Sequence, residues 1–239
     1  MYLDITNPAT STVFDRLKKH TPEDLNIFFE EAKQQQQHWK NVGIKERVEV
    51  INSFSQQLEK NKLSLANLLT KEMGKPLSQS LAEIEATRDR VQWFVDNTER
   101  VIESQIVERG TRSSTREEIS WEPRGVIANI SAWNYPFFVG ANVFLPALLT
   151  GNAVMYKPSE FAMLTGLGIA QALYDAGVPE DLFPTLVGGG DIGAALLEQD
   201  TGGVYFTGSY ATGVKVAQAA SKKLMRVQLE LGGKDPMVV

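Results

Sequence analysis

Downstream of Pro123 the sequence alternates short β-branched runs with longer stretches of helical period, and no other feature limits the possible folds so strongly. Gly125 to Ile130, Ala153 to Lys157, Phe183 to Val187 and Val204 to Thr207 read as buried strands. Pro136 to Leu149, Thr165 to Ala176, Ile192 to Glu198 and Thr212 to Ala220 read as the helices that follow them. Strands joined through helices at this spacing require right-handed crossovers, and the resulting parallel sheet must be covered on both faces.

The first hundred residues read as helices. Thr21-Pro22-Glu23-Asp24 combines a capping hydroxyl, proline at the first helical position and acids in the first turn, and Leu25, Phe28, Phe29 and Ala32 follow at helical spacing. Ile44, Val48, Ile51, Phe54 and Leu58 repeat the pattern, giving an amphipathic helix that needs a partner surface. Met73-Gly74-Lys75-Pro76 punctuates, glycine closing one helix and proline opening the next, whose apolar side carries Leu81, Ile84, Val91, Phe94 and Val95. The glutamines 34 to 37 read as a solvated face. From Ser104 to Trp121 the composition turns polar and β-permissive, with a turn at Arg109-Gly110 and Thr111 to Thr115. The predicted fold class is α/β: a Rossmann-like parallel sheet with helices on both faces and a helical N-terminal layer.

A net charge of −5 over 239 residues, with no basic block, argues against nucleic acid as a partner. The longest apolar-rich stretch, Phe137 to Leu149, is too short to cross a bilayer, so no membrane association is expected. The start Met1-Tyr2-Leu3-Asp4-Ile5 carries no secretory pattern, and a cytoplasmic location is the expectation. There is no cysteine, which excludes disulfides, thiolate metal sites and a cysteine nucleophile within this chain; no metal site is expected.

Gly188-Gly189-Gly190-Asp191-Ile192-Gly193 fits the G-x-G-x-x-G pattern after a strand, yet no Asp or Glu occurs from Thr201 to Leu229 to take the ribose hydroxyls that the fingerprint requires. It reads better as a glycine-rich turn without a phosphate role. In Phe206-Thr207-Gly208-Ser209 a strand ends where a helix begins, and the helix N-terminus can hold a pyrophosphate oxygen. Lys157-Pro158-Ser159-Glu160 ends another strand with a cation and a carboxylate three residues apart; the pair can hold ribose hydroxyls, or Ser159 or Glu160 can simply cap a helix. Asn134, before a helix opened by Pro136, is either an oxyanion donor or that helix's cap. Glu230 places one carboxylate in an apolar strand, where burial would raise its pKa and fit it as a general base; the alternative is a structural carboxylate bonded to the Gly232 and Gly233 amides.

The ordered motifs Glu72-Met-Gly-Lys-Pro76, Trp133-Asn-Tyr-Pro136, Lys157-Pro-Ser-Glu160, Phe206-Thr-Gly-Ser209 and Leu229-Glu-Leu-Gly-Gly-Lys234 resemble the aldehyde dehydrogenase superfamily over nearly the whole chain. The resemblance implies that Asn134 is the oxyanion-hole asparagine and Glu230 the general base. It makes Lys157 and Glu160 the adenosine-ribose ligands and Gly208 and Ser209 the phosphate turn, with Gly213 completing the pattern G-S-x-x-x-G. Ser131, Trp133, Ser159 and Leu231 join them as implied cofactor contacts. The cofactor implied is NAD, with NADP the alternative, because a carboxylate at 160 accepts bonds from ribose hydroxyls and repels a 2′-phosphate.

The implied partners are an aldehyde substrate and further copies of the chain in a homo-oligomer. The implied chemistry is covalent: a cysteine thiolate attacks the aldehyde, hydride passes to the nicotinamide, and water activated by Glu230 hydrolyses the thioester to a carboxylic acid. The family's cysteine lies beyond Leu229 to Lys234, and the sequence stops at Val239. On this reading residues 1–104 and 123–234 form the NAD(P)-binding domain, 105–122 an oligomerisation arm and 235–239 the first strand of a missing catalytic domain. A non-catalytic nucleotide- or partner-binding module from a truncated gene product is the alternative. Relatives that use acyl phosphates or coenzyme A are disfavoured by Glu230, since a base for water serves only hydrolysis. Tyr135, Val139 and Asn142 fall on one helix face that the resemblance assigns to a largely apolar aldehyde passage.

Overall fold

A computed structural model describes residues 1–107 and 116–238, so the turn expected at Arg109-Gly110 and Thr111 to Thr115 lies outside the described residues. Residues 2–18 are not helical as expected but form an antiparallel hairpin of β1 (Tyr2–Asn7) and β2 (Thr12–Lys18). The Asn7 side chain accepts from Ala9 N at 2.9 Å and so builds the turn itself, the local bonding by which Asn replaces a glycine signal. A bulge between Ile5 and Thr6 resets the register, and Ile5 packs beneath the hairpin with Met163 and Val187.

The helical layer forms largely as expected. Thr21 and Asp24 make a reciprocal capping box at the head of α1 (Pro22–Trp39). α2 (Ile44–Lys60) and α3 (Lys62–Met73) follow, and Gly74, at φ +71°, closes α3 before Pro76 caps α4 (Leu77–Val101). The glutamine run departs from its solvated reading at Gln36, which is buried and donates from Nε2 to Gly151 O at 2.9 Å. Trp39 Nε1 and Arg47 Nε bond Leu148 O and Leu149 O, each at 2.8 Å. These side chains satisfy carbonyls left open where a later helix ends.

A short exposed hairpin, β3 (Gln105–Val107) with β4 (Glu117–Ile119), leads to the main sheet. There β5 (Val126–Ile130), α5 (Pro136–Leu149), β6 (Ala153–Lys157), α6 (Met163–Asp175), α7 (Gly190–Leu197), β7 (Gly203–Gly208), α8 (Tyr210–Ser221) and β8 (Val227–Leu231) alternate. The sheet is wholly parallel in the order β6-β5-β7-β8. α5 packs with α2, α4 and α6, while α7 contacts α1 and α8. Phe144 centres the core, its ring 5.4 Å from Phe183, 5.9 Å from Tyr156 and 6.0 Å from Phe54.

Two expected strands are corrected. Phe183 to Val187 runs beside β6 but makes only the bridge Tyr156–Thr185, because Pro184 has no N–H to extend the ladder. Residues 235–238 form no strand; the segment is exposed, and among the described residues none lies alongside to pair with it. From β5 the chain steps to β6 on one side and later to β7 on the other, a reversal that opens a crevice at the carboxyl ends of the strands.

Candidate functional site

The crevice is a cleft of about 750 Å³. Its walls are the segments that leave the strands: Ile130 to Asn134 after β5, Lys157 to Phe161 after β6, the start of α7, Thr207 to Thr212 after β7, and Glu230 to Gly232 at the end of β8. Of the residues singled out from sequence, Ser131, Trp133, Asn134, Lys157, Ser159, Glu160, Gly208, Ser209, Glu230 and Leu231 all line it. Gly213 does not. A Cβ at Gly213 would come 2.6 Å from Leu231 Cδ2, so its glycine lets α8 lie close on β8 and serves packing instead of a ligand.

At one end Lys157, only 3% exposed, donates from Nζ to Pro158 O at 2.8 Å and stands 3.5 Å from Glu160 Oε2. Burial pushes its ammonium below the usual lysine range, and the Glu160 carboxylate opposes that shift. Ser159 accepts from Phe161 N at 3.3 Å, so the local cap and the cleft-lining position coexist. In the middle, Ser209 caps α8 by accepting from Thr212 N at 3.2 Å, and the N-terminal end of α8 lines the cleft. Gly188 to Gly193, set aside as a phosphate cradle, contributes Gly189, Gly190 and Gly193 as one wall.

Asn134 is exposed, and its amide makes no hydrogen bond within the described residues. The capping alternative fails because Tyr135 holds the cap position of α5 without any side-chain bond. Its loop is fixed from behind. Lys75 Nζ donates to Asn134 O at 3.0 Å and to Glu83 Oε2 at 2.5 Å, while Glu83 Oε1 accepts from Phe137 N at 2.9 Å. Burial pushes the Glu83 carboxyl up, and Lys75 acts against the shift. Glu72 from the same motif accepts from Leu164 N, Thr165 N and Thr165 Oγ1 at 2.6–2.8 Å, capping α6. In the sequence Met73 to Pro76 reads only as punctuation between helices, which leaves both tethers unforeseen; the charged residues flanking the glycine were the available signal.

Glu230 is exposed, not buried as expected, and accepts from Gln228 Nε2 at 3.1 Å. β8 is an edge strand, so nothing among the described residues covers it, and bonds to the Gly232 and Gly233 amides are not formed. Neither Tyr135 nor Val139 lines the cleft, and Asn142 opens on a second cavity of about 360 Å³ beside Trp121 and Tyr205. Among the described residues Ser131 Oγ and the fully buried Tyr156 hydroxyl find no partner beyond each other. The cleft thus offers an ion pair at one end, a helix N-terminus in the middle, and an amide and a carboxylate toward the rest, donors and acceptors suited to a phosphate-bearing ligand with polar groups at both ends.

Comparison with known proteins agrees with this geometry. The family model described as the aldehyde dehydrogenase family matches residues 1–239. N-succinylglutamate 5-semialdehyde dehydrogenase of Legionella pneumophila is 33% identical over 241 residues, covering 100% of this chain and 48% of that protein. The crystal structure of an NADP-dependent glyceraldehyde-3-phosphate dehydrogenase from Bacillus halodurans complexed with NADP superposes with a TM-score of 0.94 at 32% identity, over 99% of this chain and 50% of that one. A structure of PnpE in complex with nicotinamide adenine dinucleotide gives 0.93 at 29% identity, over 98% and 48%. The chain therefore spans about half the length of the relatives it matches. With the motifs, the sheet order and the cleft in agreement, the chain belongs to the aldehyde dehydrogenase family.

Proposed function

We propose that this chain is the coenzyme-binding half of an NAD(P)-dependent aldehyde dehydrogenase, and that its cleft holds NAD. The observation that carries the reading is the convergence of sequence-distant motifs on one cleft at the reversal of strand order. The residues fit a dinucleotide. Glu160 and Lys157 offer an acceptor and a donor to adenosine-ribose hydroxyls, the first amides of α8 with Gly208 and Ser209 suit a pyrophosphate, and Ser131 lines the cleft with its hydroxyl-bearing side chain. Trp133, Ser159 and Leu231 complete the walls. When bound, NAD supplies the acceptor for a hydride. The chain's own residues do the rest of what this half can do: Asn134 donates its amide N–H to an aldehyde oxygen as negative charge develops there, and Glu230 removes a proton from water.

The thiolate that this chemistry requires is not among the 239 residues, which contain no cysteine. Binding and turnover are therefore separable here. The reading also places residues 105–122 as an oligomerisation arm, 235–239 as the start of a catalytic domain, and the protein in the cytoplasm as a homo-oligomer. The open edge at β8 and the exposed β3–β4 hairpin support association. Calorimetry with NAD, alongside NADH absorbance with excess NAD and a panel of aldehydes, tests it. The expected result is saturable one-site binding without NADH formation; absence of NAD binding, or turnover that Glu230→Gln abolishes, would overturn it.

A further inference from the structure

Two further charges, Asp191 and Lys19, stand behind Gly189 at the ribose end without lining the cleft themselves. Asp191, in the first turn of α7, accepts from Gly189 N at 3.1 Å through Oδ1 and faces Lys19 Nζ at 3.9 Å through Oδ2. Both carboxylates crowd Gly189: a Cβ built there would lie 3.3 Å from Asp191 Oδ1 and 3.9 Å from Glu160 Oε1. The charges therefore run in sequence, Lys19, Asp191, Glu160, Lys157, along the loop that forms this wall.

Lys19 is placed by the fold and does not reach in from a loose tail. Its N–H donates to Met1 O at 3.0 Å, and the next residue bonds the glycine loop's base in both directions, His20 N to Val187 O at 2.9 Å and Val187 N to His20 Nδ1 at 3.1 Å. Its side chain is 19% exposed, whereas that of Asp191 is 60% exposed. Asp191 and Lys19 also act on the buried Lys157 ammonium, in opposite directions.

We propose that Asp191 and Lys19 set how strongly the cleft discriminates against a phosphate on the adenosine 2′-hydroxyl. This rests on the dinucleotide reading above and extends it to residues that no motif marked. A 2′-phosphate entering beside Glu160 comes into the field of a second carboxylate at Asp191, and Lys19, 3.9 Å from that carboxylate, is the cation that offsets it. Removing Asp191 deletes one repulsion and frees Lys19 to face the phosphate; removing Lys19 leaves Asp191 uncompensated. The two substitutions must therefore shift selectivity in opposite directions, an outcome that general loosening of the loop would not give.

The test is titration of the chain and its Asp191→Asn and Lys19→Gln variants with NAD and NADP, and with adenosine 5′-monophosphate and adenosine 2′,5′-bisphosphate as probes of this end alone. Asparagine still offers Oδ1 to Gly189 N, and melting curves establish that each variant is folded. Asp191→Asn is expected to move the ratio of dissociation constants about five- to tenfold toward the 2′-phosphorylated ligand of each pair, and Lys19→Gln a few-fold away from it, both effects shrinking with added salt. Ratios that stay within experimental error of the unsubstituted chain, or move in the same direction in both variants, overturn the proposal. Failure of the unsubstituted chain to bind any of the four ligands overturns the dinucleotide reading and this assignment with it.

Discussion

Replacing Lys75 by methionine keeps the aliphatic stem and removes the charge that faces Glu83. The Lys75 side chain is 13% exposed and that of Glu83 fully buried, so the variant leaves a carboxylate held by the Phe137 and Phe138 backbone donors alone, with no counter-charge. The expected loss is about 3 kcal/mol near neutral pH, the size typical of breaking a buried pair from one side. The sign of its pH dependence follows from linkage. Burial already raises the Glu83 pKa in the folded chain, so the folded state binds the proton more tightly and stability falls as pH rises from the usual carboxylate range through the native value. Without Lys75 that native value climbs further. The deficit in melting temperature should thus shrink as pH is lowered from about 8 to about 5, while Lys75→Arg should retain most of the stability. A deficit that is constant across this range would show that lost packing, not the stranded charge, is responsible. Asn134 should feel the same change, since its carbonyl loses the Lys75 donor.

At the scale of elements, much was legible because local chemistry decided it. The bounds of α5 and β6 fall where Pro136 and Leu149, and Ala153 and Lys157, placed them, and the cap at Thr21 to Asp24 is built as its residue types require. What escaped reading depends on neighbours far along the chain. Gln36 is buried because Gly151 needs a donor, Glu230 is exposed because β8 is an edge, and β1–β2 pairs through an Asn7 turn that lacks the Asn-Gly signature of a tight hairpin. The segment after the hairpin is tied to the start of the glycine loop through His20, whose Nδ1 accepts from Val187 N and must be unprotonated to do so. Burial lowers the His20 pKa below 6.5, with Asp24 acting against the shift and Lys18 with it. The folded state therefore binds this proton less readily than the unfolded chain, and the bond's contribution is complete above about pH 6.5 and lost as pH falls through the lower native value. Melting His20→Gln beside the unsubstituted chain from about pH 8 to about 5 isolates it, because glutamine still accepts and does not titrate there. The unsubstituted chain should lose stability relative to the variant on acidification; parallel curves would exclude His20 as the cause.

Across the whole molecule, apolar side chains gather where the sheet and the small hairpin are open. Val227 is 42% exposed, Ile119 48%, Trp121 58% and Ile106 59%. Unpaired strand edges bearing such residues are templates for pairing, so the isolated chain should self-associate. Sedimentation should show species larger than a monomer that grow with concentration, and Val227→Lys should reduce them; a clean monomer at all concentrations with one cooperative melt would contradict this. The strand order has one more consequence. Lys157 ends β6 and Glu230 stands near the end of β8, on opposite margins of the sheet, and between them lie the ends of β5 and β7. At about 4.8 Å per strand the margins are roughly 14 Å apart, and hydrogen bonding holds that interval fixed. The sheet is a ruler. A ligand long enough to touch both marks gains from each contact after immobilising itself only once, whereas two halves supplied separately must each be immobilised in turn. Selection by length is thereby written into the backbone, independent of any side chain that happens to stand at either mark.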